Sequence, residues 1–115
     1  MVLPKEAKLL RIFVGESDKI NLIPLYEKIV LMAREEGLAG ATVFKGIMGF
    51  GGRSRIHTTK ILRLSEDLPL IIEIVDQNDK IEKFLPIIDD LFTRAKCGGL
   101  ITIERAGVIK YTAGE

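Results

Sequence analysis

The chain has 115 residues, with 17 basic and 16 acidic side chains, one His, one Cys and no Trp. That is one domain (1–115), long enough to close one core, and 47% hydrophobic residues with charge spread along the chain exclude a disordered tail. A lone Cys excludes an internal disulfide framework; with no apolar run near the roughly 18 residues of a membrane span and no signal-peptide core after the start, a cytoplasmic location is expected.

Ala7 to Val14 is rich in apolar and β-branched residues and stops at Gly15, which predicts a buried strand. From Leu22 to Glu36 the residues Leu22, Leu25, Tyr26, Ile29, Val30 and Ala33 fall on one helical face; Pro24 is tolerated in the first turn and Gly37 ends the helix. Ala41 to Ile47 is a second strand, and Leu70 to Val75 a third with Pro69 at its mouth. A second helix starts near Asp79, with Glu82 three residues on as a capping box. Its stripe is Ile81, Phe84, Leu85, Ile88, Leu91, Phe92 and Ala95, and Pro86 inside it removes one backbone bond. Leu100 to Glu104 alternates as a fourth strand, which Val108 to Tyr111 continues.

The order β-α-β-β-α-β predicts an α+β, ferredoxin-like fold, a four-stranded antiparallel sheet with both helices on one face. Leu9 beside Leu10, Ile71 beside Ile72 and Ile74 beside Val75 make the strands apolar on both sides. The face without helices is then either a ligand surface or covered by another subunit, and coverage by a subunit is the favoured expectation.

Met48 to Pro69 is far longer than the two to five residues of an ordinary hairpin loop, and connections of that length are usually functional or disordered. Part of it, His57 to Leu64, alternates weakly and extends the hairpin arms. Between Glu36 and Glu66 there is no acidic residue, while Lys45, Arg53, Arg55, Lys60 and Arg63 all fall there. Gly49, Gly51 and Gly52 beside Arg53 and Arg55 suit a small anion, because glycine lets the backbone approach a phosphate and guanidinium forks match its oxygens. The competing reading of the segment is a solvated loop. A second glycine turn, Cys97-Gly98-Gly99 after Lys96, reads first as a helix C-cap leading into a strand, with amides open to an anion. The single His57 gives no metal site, and no nucleophile–base pair or paired acids share one cleft, so no catalytic residue is assigned. Nucleic acid is not expected. The aromatic stacking pattern of RNA-recognition domains would need aromatics on the third strand, and LIIEIV has none. Nor does Val14 to Lys19 carry the arginine of an acylphosphatase anion loop.

Three segments together resemble the PII-like signalling proteins, in their branch of uncharacterised function. Ala41 to Thr58, with Gly49-Phe50-Gly51, is similar to the second strand and T-loop base; Leu70 to Glu82 is similar to the third strand and second helix; Thr93 to Glu115 is similar to the B-loop and C-terminal segment. The resemblance implies a non-enzymatic homotrimer that binds an adenine nucleotide (ADP, AMP or ATP) between subunits. It places Thr42, Gly49, Phe50, Gly51, Arg53, Arg55, Cys97, Gly98, Gly99 and Lys110 at that nucleotide and assigns no metal. It also implies that a mobile T-loop-like segment, about 49–66, contacts a regulated protein, a membrane transporter in the wider family. Leu100 stands where classical members carry a phosphate-binding Lys, and Thr112 where they carry an Arg; their uridylylated tyrosine has no counterpart. The alternative is a trimeric protein-docking or metal-tolerance-type module without nucleotide binding.

Overall fold

The computed structural model describes residues 5–52 and 67–114. Its strands are β1 (Glu6–Gly15), β2 (Lys19–Ile20), β3 (Ile23–Pro24), β4 (Thr42–Lys45), β5 (Pro69–Asp76) and β6 (Leu100–Gly107); its helices are α1 (Leu25–Glu35) and α2 (Asn78–Ala95). The main sheet runs β4-β5-β1-β6, antiparallel throughout, which is the expected ferredoxin-like α+β order, and β2 and β3 form a separate small hairpin. The expected extension of the hairpin arms over His57 to Leu64 lies outside the described residues.

Alternation on β1 and β5 sorts the two faces. Leu10, Ile12 and Val14 on β1, and Leu70, Ile72 and Ile74 on β5, are buried with Leu25, Ile29 and Ala33 of α1 and Ile81, Phe84, Ile88 and Leu91 of α2. The other face carries Leu9, Arg11, Phe13, Ile71, Glu73 and Val75, all only half-buried.

Several local expectations are corrected. Helix α1 begins at Leu25, not Leu22, and Pro24 is its N-cap at φ −56° and ψ 136°. Proline forces the residue before it into extended backbone, so Ile23 joins a hairpin whose tip, Asn21 at φ 57° and Leu22, leaves Leu22 91% exposed. No capping box forms at Asp79; Gln77 caps α2 without a side-chain bond. Instead the buried carboxylate of Asp76 accepts the Gln77 N–H at 2.7 Å and the Ala39 N–H at 2.8 Å, tying the α1–β4 connection to the start of α2. Pro86 is carried inside α2, on its exposed side. At the end of α2 the left-handed residue is Lys96 (φ 53°) and not a glycine. Strand β6 runs on to Gly107, but Val108 to Tyr111 is not strand; it leaves the sheet after the Val108 N–H bonds the Lys5 carbonyl at 2.8 Å.

Candidate functional site

That departing segment builds a cavity. It crosses from β6 toward the opposite side of the sheet, where the Tyr111 hydroxyl donates to the Ala39 carbonyl at 3.2 Å. Between the tail and the α1–β4 connection lies a cavity of about 550 Å³, lined by Ala39–Thr42, Glu73, Val75 and Ala106–Tyr111. Small residues (Ala39, Gly40, Ala41, Ala106, Gly107) make up much of the wall, and Glu73 and Lys110 are its charged groups. Ala7 belongs to the helix-free side by alternation yet is 3% exposed.

Thr42 and Lys110, both expected at the ligand and 68 positions apart, meet in this cavity. Glu73 and Tyr111 were not anticipated. Glu73 pairs with Thr42 across β5 and β4 and with Arg11 across β5 and β1. The Arg11 Nε donates to Glu73 Oε2 at 2.8 Å and its Nη1 to Glu104 Oε1 at 2.6 Å, so one guanidinium bridges β5 and β6 over β1. The Glu73 bond is the largest of the effects that raise the Arg11 pKa, opposed by desolvation and aided by Glu104.

The other expected residues lie elsewhere. Gly49, Phe50 and Gly51 follow β4 at the far end of β5, where a Cβ on Gly49 would stand 2.9 Å from the Pro69 ring. Four strand residues, ~13 Å, separate Pro69 from Glu73. Cys97, Gly98 and Gly99 lead into β6, on the opposite edge of the sheet. A Cβ on Gly99 would meet Phe92 at 2.5 Å and the Phe13 carbonyl at 2.7 Å, so only glycine lets β6 start there. Neither turn lines the cavity. The Cys97 thiol is half-buried, and burial, with the nearby Asp18 carboxylate, pushes its pKa above the usual value. Arg53 and Arg55 lie outside the described residues. Among those described, no helix is long and apolar enough to cross a membrane.

The β1–β2 turn is acidic. The Asp18 carboxylate accepts the Gly15 N–H at 2.8 Å, Asp67 accepts the Ser17 N–H at 3.0 Å, and Glu16 pairs with Lys45 at 2.7 Å.

Comparison with known proteins adds three findings. The model of the DUF190 family, described as "Uncharacterized ACR, COG1993", matches residues 7–108. The chain is 41% identical over 102 residues to a UPF0166 protein of Aquifex aeolicus, covering 89% of this chain and 92% of that one, and 41% identical over 105 residues to a UPF0166 protein of Methanocaldococcus jannaschii (91% and 94%). Its fold matches that of CPII from Thiomonas intermedia K12, a nitrogen regulatory PII-like protein solved with ADP, AMP and acetate, with a TM-score of 0.66, 14% identity, and 91% and 90% of the two chains covered.

Proposed function

The chain belongs to the DUF190 family, and from that premise we propose that it is a non-enzymatic homotrimeric regulator that binds an adenine nucleotide between subunits. The observation that carries the reading is the meeting of Thr42 and Lys110, 68 positions apart, in one cavity beside a wall of small residues. The ADP and AMP bound to a protein of the same fold supply the ligand class.

The intersubunit placement rests on the distribution of the remaining residues. The Gly49–Gly51 turn follows one edge strand, β4, and the Gly98–Gly99 turn precedes the other, β6, three strand spacings or ~14 Å away. One ligand in one chain does not reach all three groups; a second copy brings a glycine turn to the cavity mouth. The half-exposed apolar side chains of the helix-free face are the surface such a copy would cover. For the regulated protein, the base of the long connection offers Ile47, Met48 and Phe50, which are 94%, 76% and 70% exposed.

The test is calorimetry with ADP, AMP and ATP on protein whose mass is measured by light scattering. Binding tighter than about 1 mM to a trimer is expected. Lys110→Ala, and on sequence grounds Arg53→Ala, should each remove a charge-assisted phosphate contact of roughly 1.5–3 kcal/mol. A monomer that binds none of the three nucleotides sinks the reading.

A further inference from the structure

Glu73 is a carboxylate in a cavity proposed to hold a polyanion, and the reading above leaves it without a role. Like charge repels phosphate, so Glu73 has to face an uncharged part of the ligand. The Arg11 bond occupies Oε2, and no second hydrogen bond reaches this carboxylate among the described residues, so acceptor capacity remains on a group that already lines the cavity. Arg11 is itself braced. It stands on β1, one of the two inner strands of the sheet, and its second bond, to Glu104, restrains the guanidinium from turning away from Glu73. A fork held at both ends fixes a carboxylate far better than a solvated lysine could.

We infer that Arg11 is a positioning residue for the cavity: it holds Glu73 so that the free carboxylate oxygen accepts a hydrogen bond from the nucleoside, either the exocyclic amine of the base or the ribose 2′-hydroxyl. The inference rests on the nucleotide reading and deepens it. It sets the ligand's orientation, with the uncharged nucleoside against Glu73 and Thr42 and the phosphates on the side of Lys110. It also makes the ionic bridge on the helix-free face part of the ligand site.

The experiment is calorimetry of the assembled full chain with ADP, IDP and 2′-deoxy-ADP. IDP replaces the base amine by a carbonyl, and 2′-deoxy-ADP removes one hydroxyl, so the two arms tell the donors apart. The intact protein is expected to lose about tenfold in affinity with one of them, since a site built to accept a donor rejects an analogue lacking it. Glu73→Gln keeps an oxygen for Arg11 and can turn its NH₂ to the ligand. It should therefore abolish the discrimination, and invert it toward IDP where the base amine is the donor. Arg11→Lys, which keeps the positive charge and one contact to Glu73, should retain part of the discrimination; Arg11→Ala should lose it. Equal affinity of the intact protein for all three ligands overturns the inference and leaves nucleotide binding standing, as does an equal loss for all three in Glu73→Gln. Absence of binding by every adenine nucleotide removes both together.

Discussion

The two faces of the sheet are made from the same alternating strands and end in different chemistry. On the helix side Leu10, Ile12, Ile72 and Ile74 are buried to within 1% and belong to one apolar cluster with side chains of α1 and α2, with Asp76 as the buried polar group at the end of the row. On the other side Phe13, Ile71, Leu9 and Val75 frame an ionic bridge, Glu73–Arg11–Glu104, that water still reaches. The helix face is finished within the chain and gains its stability from area removed from water. An open face that puts one guanidinium between two carboxylates gains little stability from them, and it penalises any cover that strips those charges without matching them. The difference is between a surface built to be dry and a surface built to be selective.

The sharpest way to break this comparison is to truncate matched rings on the two sides. Phe84→Ala, on the helix side, should cost about 3–5 kcal/mol in urea unfolding, the usual loss for a fully buried aromatic. Phe13→Ala removes a half-exposed ring and should cost less than half of that, measured at a dilution where light scattering reports single chains. Equal losses under that condition would mean that the two faces are equally dry within one chain.

The helix face was the legible one. Periodicities of 2 and 3.6 marked its residues because nothing but burial acts on them, and they failed only at Leu22, where Pro24 dictates the backbone and overrides the count. The start of α2 was misread for a related reason. The sequence DQND offers Asp79 as a cap at helical spacing, whereas the carboxylate that matters is Asp76, the last residue of β5 on the buried side of its register. The candidate site was legible only in part. Thr42 and Lys110 came from likeness to a family, since no local pattern links residues so far apart. Glu73 was visible as the one charge inside LIIEIV, but alternation assigns such a residue to solvent; its partner Arg11, 62 positions away, appears only once the strand register is known. Tyr111 was assigned to a strand because hydrophobic alternation does not show where a chain leaves the sheet.

Asp76 supplies the next test, smaller than the loss at Phe84. It is the buried polar group of the helix face, and it is tolerated because two backbone N–H groups, at 2.7 and 2.8 Å, satisfy it. Asp76→Ala leaves both donors without a partner and should cost about 2–3 kcal/mol. Asp76→Asn keeps one acceptor oxygen and should lose less, and hydrogen exchange at Ala39 and Gln77 should rise in the alanine variant before global unfolding does. A fully stable Asp76→Ala would mean that the apolar face needs no polar anchor at its edge.

The smallest expected effect is at the turn joining β1 to β2. Burial, aided by the neighbouring Asp67, raises the Asp18 pKa above its usual 3.8, while the Gly15 N–H bond opposes the rise. A carboxyl raised in the folded state binds its proton more tightly there than in the unfolded chain. Its favourable contribution is therefore complete below the ordinary value of 3.8 and is lost as pH climbs through the folded value. Asp18→Asn keeps an oxygen for the Gly15 N–H and carries no charge. At neutral pH it should unfold at slightly higher urea than the parent, and the advantage should vanish on acidification below about pH 4. The same substitution removes the charge that helps burial raise the Cys97 pKa, so the thiol should react with a disulfide reagent at lower pH than in the parent. A parent and variant with superimposable stability and thiol profiles would show that water screens this turn as fully as it screens an exposed loop, and that the acidic end of the sheet plays no part in the contrast between its faces.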